Sequence, residues 1–145
     1  MIKLIAFDLN GTLYDPNLYF KSAFKIVSEY LSSNVIDTGA AEIEKNLWNV
    51  LHKRGSMYKT LFDDVLFCYW IKNKGVVKKL VKLFHTVPTN NLKPYRDALK
   101  EVKRLKKSYK LCILTHGSAK DEIRLLKQLK LLSYFDFVMA TKDEH

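Results

Sequence analysis

The order of hydrophobic and polar positions divides the chain into three stretches. Residues 3–7 form a short apolar run that ends at Asp8 and is closed by a turn at Asn10-Gly11. A run of this kind, without polar alternation, is typical of a buried parallel strand. From residue 16 to residue 86 the apolar residues instead recur at helical spacing, which predicts consecutive helices. We predict these helices at residues 18–31, 40–51, 61–71 and 76–84.

A turn-rich segment at residues 86–94 precedes a second change of pattern. The residues beyond it predict a helix at 98–105, a strand at 109–114, a helix at 122–132 and a strand at 134–140. Alternation of helix and strand indicates a parallel α/β sheet. We therefore predict a Rossmann-like parallel sheet core from residues 1–15 and 88–145, incomplete at the C-terminus, with a helical insertion at 16–87. The insertion leaves from the carboxyl end of the first strand, where ligands bind in such sheets.

Composition narrows the class of protein. The chain has 145 residues and is 48% hydrophobic, enough for a packed core. No apolar run reaches the roughly 20 residues of a membrane-spanning helix, and the N-terminal run is too short for a signal peptide, so we expect a cytoplasmic protein. The net charge is +10, but the lysines are dispersed. This favours a solvated surface over nucleic-acid binding.

Two cysteines bear on the redox environment. Cys68 and Cys112 lie inside apolar stretches, and neither belongs to a C-x-x-C pair. We predict that both are buried, reduced thiols and that neither forms a disulfide or a metal site.

Two strand ends carry residues suited to chemistry. Asp8 ends the first apolar run and precedes a glycine turn whose backbone N–H groups can face a phosphate, an arrangement suited to a carboxylate nucleophile. The apolar run 111–114 ends in Thr115-His116-Gly117. Parallel strands bring their carboxyl ends to one edge, so both segments are predicted to share a site.

These segments carry a family resemblance. Asp8-Leu9-Asn10-Gly11-Thr12-Leu13 resembles the Asp-x-Asp-Gly-Thr-Leu opening motif of haloacid dehalogenase-like hydrolases, and it differs at one position. Residues 111–117 resemble the second motif of that family. The resemblance implies hydrolysis of a small phosphate ester through an aspartyl-phosphate on Asp8. It also implies a Mg²⁺ held by the Asp8 carboxylate and the Asn10 backbone carbonyl, with phosphate-binding roles for Gly11, Thr12, Thr115, His116 and Gly117.

The helical insertion resembles the cap domain of the same family, which closes over the site and selects the substrate. Lys53, Arg54 and Lys59 lie near a turn of this insertion and could meet an anionic leaving group. A charged interhelical loop is the simpler interpretation of the same residues.

The sequence departs from the family in two respects. Asn10 stands where the family's phosphatases have the aspartate that acts as acid and base, a function generally worth about 10²–10⁴-fold in rate. The third-motif lysine and the fourth-motif acidic pair have no counterpart before residue 145. We therefore expect a chain truncated after the second motif, with a strand edge near residues 134–140 that could pair with a second subunit.

Two other functions remain open at this stage. The first is a non-catalytic binding or regulatory module, or one part of a split enzyme, as Asn10 and the missing motifs suggest. The second is dehalogenation at carbon, which keeps the Asp8 nucleophile and needs no Mg²⁺. For the phosphatase hypothesis, we expect a phosphorylated small molecule as the ligand. No recognisable motif in the sequence identifies this molecule.

Overall fold

A computed structural model describes residues 2–56, 58–87 and 92–141. The chain divides into two compact units. The sheet unit comprises Met1–Tyr19 and Thr89–His145, and the helical unit comprises Phe20–Pro88. The elements follow in the order β1 (Leu4–Phe7), α1 (Pro16–Asn34), α2 (Ala40–Arg54), α3 (Leu61–Phe67), α4 (Lys74–His85), α5 (Arg96–Leu105), β2 (Lys110–Thr115), α6 (Ala119–Gln128) and β3 (Phe137–Ala140).

The described residues of the sheet unit form three parallel strands in the order β1-β2-β3. Leu4 pairs with Lys110, and Cys112 pairs with Phe137, so β2 lies between the other two strands. The predicted parallel α/β sheet is therefore confirmed. The third strand begins at Phe137 and not at Tyr134, because Leu132–Tyr134 forms a 3₁₀ turn first.

Both helices of the sheet unit cover the same face of the sheet. Val102 of α5 and Leu126 of α6 are buried in one cluster with Leu111 and Ile113 of β2. Right-handed crossovers between parallel strands require this placement when the strands are added in one direction. The side chains of β2 alternate between the two faces, so Leu114 points away from this cluster.

The opposite face of the sheet is apolar and exposed in this chain. Its side chains come from all three strands, and each retains about half of its accessible surface: Leu4 49%, Leu114 49%, Phe137 55% and Met139 52%. The strands of an all-parallel sheet are normally covered on both faces. We name these four residues the open sheet face.

The helical unit has its own hydrophobic core. Residues from α1 to α4 with no accessible surface form it: Phe24, Val27, Leu31, Ile43, Leu47, Val65, Leu66 and Leu80. The Phe24 ring meets the Trp48 indole edge-on at 5.0 Å between centroids. The Asn73 side chain caps α4 by accepting hydrogen bonds from the N–H groups of Gly75 and Val76.

Two predictions for the third helix were wrong. Helix α3 ends at Phe67 and does not extend to residue 71, since the chain reverses through Trp70 with a φ of 58°. The end of the apolar stretch therefore lies at the surface, with Phe67 67% and Trp70 89% exposed. Cys68 is exposed as a result, contrary to the prediction of a buried thiol. Cys112 is buried, as predicted, and both cysteines are free.

No helix in the described part of the chain is long and apolar enough to cross a membrane.

Candidate phosphate site

The turn after β1 holds Asp8 at the carboxyl edge of the sheet. The side chains of Leu9 and Leu13 are buried on either side of the turn, and the Leu13 N–H donates to the Leu9 carbonyl at 3.0 Å. Between them Gly11 has a φ of +76°, a conformation that glycine adopts without steric strain. Because its neighbour Leu9 is anchored in the core, the exposed Asp8 side chain is presented from a fixed backbone.

Asn10 is tethered by a neighbouring tyrosine. The Tyr14 hydroxyl donates a hydrogen bond to Asn10 Oδ1 at 2.6 Å, and the Tyr14 side chain is only 3% exposed. Burial raises the pKa of Tyr14 well above its usual value, and the negative charge of Glu122 raises it further. Tyr14 therefore acts as a hydrogen-bond donor at neutral pH and fixes the orientation of the Asn10 side chain.

Thr115 ends β2 beside this turn. Phe7 pairs with Ile113, so Asp8, which follows β1, and Thr115, which is the last residue of β2, lie along one edge of the sheet. Parallel neighbours are separated by about 4.8 Å, which is within the span of one phosphoryl group and its ligands. The Thr115 side chain is 2% exposed, and its hydroxyl donates to Glu122 Oε1 at 3.2 Å.

Glu122 is a component of this edge that the sequence analysis missed. It lies in the first turn of α6 and is only 7% exposed. Burial raises the pKa of the Glu122 carboxyl, the Thr115 hydrogen bond lowers it, and the charges of Asp121 and Asp8 raise it again. A signal was present, since Glu122 lies four residues before the buried Leu126 and so occupies the apolar stripe of the helix.

The backbone donors of the turn differ from the prediction. The Gly11 N–H already donates to the Tyr14 carbonyl at 3.0 Å, so it is not free for phosphate in this conformation. The Thr12 N–H has no hydrogen-bond acceptor among the residues that the structure describes. Thr12 also lines a cavity of about 480 Å³ together with Phe7, Leu13, Asp97, Ala98, Lys100 and Glu101.

The loop after β2 turns into helix α6. The Gly117 N–H donates to Thr115 Oγ1 at 3.3 Å, and the Ser118 hydroxyl caps α6 by accepting from the Asp121 N–H at 3.3 Å. His116 is exposed, and its Nδ1 lies 3.2 Å from the Thr141 hydroxyl. Thr115 and Gly117 therefore lie at the candidate site. His116 instead forms its hydrogen bond with Thr141, the residue that follows β3.

The three basic residues predicted for substrate contact lie in the helical unit. Lys53 and Arg54 end α2, and Lys59 follows in the next turn. The Arg54 guanidinium lies 3.8 Å from the Asp64 carboxylate and 5.3 Å from the centre of the Tyr58 ring. Arg54 is therefore engaged inside its own unit, while a role in substrate binding stays a prediction for all three residues.

The described residues offer few metal ligands at this edge of the sheet. Among residues 2–56, 58–87 and 92–141 there is no group of three His, Cys, Asp or Glu side chains that could hold a metal ion. The Asp8 carboxylate and the Asn10 carbonyl supply two oxygens, and Mg²⁺ requires six in octahedral geometry. The described residues fit part of a magnesium site but not a complete one.

Comparisons with known proteins identify the family of the chain. Residues 5–145 match the model of the family described as haloacid dehalogenase-like hydrolase. The glyceraldehyde 3-phosphate phosphatase of Methanocaldococcus jannaschii is 28% identical over 149 residues, and the match covers 99% of this chain. It covers 64% of that phosphatase, so the chain spans slightly less than two thirds of its relative's length.

Two solved structures share the fold. A HAD-hydrolase from Bacillus subtilis bound to magnesium superposes with a TM-score of 0.66 at 18% identity, over 98% of this chain and 64% of that one. A HAD phosphatase from Thermococcus onnurineus gives 0.61 at 22% identity, over 99% and 63% respectively. With a family match over nearly its whole length and Asp8 and Thr115 on neighbouring strand ends, the chain belongs to the haloacid dehalogenase-like hydrolase family.

Proposed function

We propose that this chain carries the nucleophile and the phosphoryl-binding edge of a phosphatase for a small phosphorylated molecule. The observation that carries the proposal is the register of β1 and β2, in which the exposed Asp8 and the hydroxyl-bearing Thr115 lie at the carboxyl ends of adjacent parallel strands. Its relative in Methanocaldococcus jannaschii is named for hydrolysis of glyceraldehyde 3-phosphate. A short phosphorylated substrate of that class is therefore the first to test, in the cytoplasm where we expect the protein.

The chemistry follows from what each side chain can do. An Asp8 carboxylate oxygen attacks phosphorus, the bond between phosphorus and the ester oxygen breaks, and an aspartyl-phosphate forms. The leaving oxygen takes a proton from solvent water and departs as the alcohol. The Thr115 hydroxyl and the Thr12 N–H donate to phosphoryl oxygens and hold the group in place. Water then attacks phosphorus and releases Asp8 and inorganic phosphate. Asn10 has no acidic proton, so it orients but does not transfer a proton at the step where an aspartate would.

In this proposal, the described residues supply only some of the ligands that hold a Mg²⁺ ion. The fold's hydrolases include a magnesium-bound example, and Asp8 with the Asn10 carbonyl provides two of the oxygens that such an ion needs. The remaining protein ligands have to come from residues outside those described. We expect the chain alone to bind Mg²⁺ weakly.

The open sheet face suggests how the site is completed. A strand paired in parallel with the free edge of β1 would extend the sheet in the direction opposite to β2. A right-handed crossover to that strand carries its helix over the open sheet face. The carboxyl end of the added strand would lie next to Asp8. We propose that polypeptide arranged in this way, on the same chain or a second subunit, supplies the third-motif lysine and the acidic pair.

The area involved is large enough to stabilise such an addition. Full burial of one large apolar side chain contributes about 1.5–3 kcal/mol. The four residues of the open sheet face are about half exposed, so covering them contributes roughly 3–6 kcal/mol in total.

The helical unit is proposed as the cap, with Lys53 and Lys59 as candidates for contact with an anionic leaving group.

The decisive experiment is Mg²⁺-dependent hydrolysis of 4-nitrophenyl phosphate by the folded chain and by Asp8→Asn. Asp37→Asn is the matched control, since Asp37 is an exposed aspartate in the helical unit. The proposal predicts that Asp8→Asn abolishes turnover and that Asp37→Asn retains it. The segment of the Methanocaldococcus jannaschii relative that lies outside the match, added as a separate polypeptide, should raise the rate. Equal rates for the wild type and Asp8→Asn would refute the assignment.

Asn10 favours a second candidate, a module that binds phosphate without turnover. It predicts that a folded chain binds a phosphate analogue but shows no hydrolysis, either alone or with the added segment. Asn10→Asp would then produce no activity, whereas the first candidate predicts an increase of up to about 10²–10⁴-fold.

A further inference from the structure

The Glu122 carboxyl is buried, and only one of its two oxygens forms a hydrogen bond with the described residues. It is 93% buried at the start of α6, and Oε1 accepts the Thr115 hydroxyl proton at 3.2 Å. Its second oxygen, Oε2, is buried and has no hydrogen-bond partner within the described segments. Buried carboxylate oxygens are normally satisfied, so an orphaned oxygen beside the phosphoryl-binding edge points to a functional constraint.

Gly117 makes this close approach possible. A Cβ added at residue 117 would overlap Glu122 Oε1 and would also crowd Cδ at 3.0 Å. Only glycine at this position leaves room for the carboxyl against the loop. The same residue donates its backbone N–H to Thr115 Oγ1 at 3.3 Å. The Thr115 hydroxyl is therefore held between a backbone donor and a carboxyl acceptor.

A hydroxyl has one proton to donate. When Glu122 is ionised, it can only accept, and the Thr115 proton is directed to it. When Glu122 is protonated, its own O–H can donate to Thr115 Oγ1, and the Thr115 proton becomes free to point towards a phosphoryl oxygen. The ionised form also brings a negative charge next to an anionic ligand, which repels it.

We infer that Glu122 is a positioning residue for Thr115, and that a phosphoryl group and the Glu122 carboxylate compete for the single Thr115 proton. The protonated form of Glu122 is then the form that binds the anion. The inference rests on the proposed function, because it takes Thr115 as a phosphoryl ligand.

The charged and titratable groups around Glu122 favour this protonated form. Asp121 on the same helix and Asp8 after β1 both raise the pKa of Glu122, in addition to the larger effect of burial. Tyr14, in the turn after β1, faces the same region, and its own pKa is raised by the charge of Glu122. The Thr115 hydrogen bond opposes them by lowering the pKa of Glu122.

The test is the affinity of the whole 145-residue chain for sulfate as a function of pH. Sulfate is a tetrahedral dianion that does not titrate between about pH 5 and pH 8, so pH dependence reports the protein. If one protonated group is required, the apparent Kd rises up to about tenfold per pH unit above the pKa of that group. Calorimetry or NMR line shifts measure this affinity for the wild type, Glu122→Gln and Asp121→Asn.

Glu122→Gln should bind sulfate at every pH about as well as the wild type does at low pH. The amide donates to Thr115 Oγ1 without a charge. Asp121→Asn is the matched control, since it removes an equal charge one residue away but leaves the Thr115 hydrogen bond. It should keep the pH slope and move its midpoint to lower pH. Parallel pH profiles for the wild type and Glu122→Gln would overturn the inference.

A second measurement separates this inference from the proposed function. The Gly117 amide proton donates to Thr115 Oγ1, so its NMR chemical shift should titrate together with the Glu122 carboxyl carbon. If sulfate binds to no variant, the phosphoryl site itself is refuted, and this titration alone decides whether Glu122 controls Thr115. A Gly117 shift that stays constant while Glu122 ionises overturns the inference whether or not sulfate binds.

Discussion

Gly117→Ala should destabilise the sheet unit, and the loss should disappear when Glu122 is shortened. The new methyl group overlaps Glu122 Oε1, and overpacking of this kind typically costs about 1–3 kcal/mol. Displacing the carboxyl also breaks the Thr115 hydrogen bond, worth about 0.5–1.5 kcal/mol. Replacing glycine offsets about 0.4–1 kcal/mol through the unfolded chain. The net expectation is a destabilisation of about 0.5–4 kcal/mol.

The double variant isolates the cause. In a Glu122→Ala background the overlapping atoms are absent, so Gly117→Ala should become neutral or stabilising by up to about 1 kcal/mol. The two substitutions should therefore be non-additive by at least about 1 kcal/mol, as residues in direct contact usually are.

The assay has to report the sheet unit specifically. Both tryptophans, Trp48 and Trp70, belong to the helical unit, so tryptophan fluorescence would follow the wrong transition. Amide hydrogen exchange at Ile113, a fully buried residue of β2, measures the opening free energy of the sheet directly. Additive effects, within about 0.5 kcal/mol, would refute the placement of Glu122 against Gly117.

Three further variants test other contacts. Phe24→Ala should destabilise the helical unit by about 3–5 kcal/mol. The fluorescence of Trp48 reports this unfolding, because its indole meets the Phe24 ring edge-on. An unchanged unfolding transition would contradict the placement of Phe24 in the core of the helical unit. Tyr14→Phe should cost about 0.5–1.5 kcal/mol and release the Asn10 amide, so unshifted Asn10 side-chain NMR signals would exclude the hydrogen bond. Hydrogen bonds from a lysine and a backbone N–H lower the pKa of Asp136 to about 2. Its carboxylate therefore stabilises the fold above its unfolded pKa of about 3.9, and this stability is lost as pH falls through about 2. Asp136→Asn should remove that part of acid unfolding, and an identical acid transition would count against the pairing.

The parts of the fold that sequence predicted well are those set by local pattern. The run that ends at Asp8 has no polar alternation and is closed by Gly11, so a strand and its turn could be identified from a dozen residues. The burial predicted for this strand was wrong, because Leu4 and Ala6 are exposed on the open face of the sheet and Ile5 and Phe7 are only half-buried. The second strand, ending at Thr115, was equally clear. The alternating helix–strand order predicted that the strands are parallel, whereas the order β1-β2-β3 was not predicted from the sequence.

The failures involve turns and contacts between elements that were not predicted from the sequence. Cys68 follows an apolar stretch and was expected inside, but the helix stops at Phe67 and the chain turns through Trp70 with positive φ. Glu122 is the first residue of the helix predicted at 122–132, whereas its hydrogen-bond partner Thr115 is seven residues away and on another element. The sequence also could not show which backbone donors of the Asp8 turn already form hydrogen bonds, as the Gly11 N–H does.

The placement of β1 at the start of the chain has a consequence for folding. Leu4 pairs with Lys110, so about 100 residues separate two strands that must meet. Loop closure of this length is slow compared with the local contacts of helices. We expect the helical unit, whose core is built from consecutive helices, to form first during synthesis. The apolar residues of β1 would then stay unpaired until β2 forms. During that interval the nascent chain is most prone to aggregation.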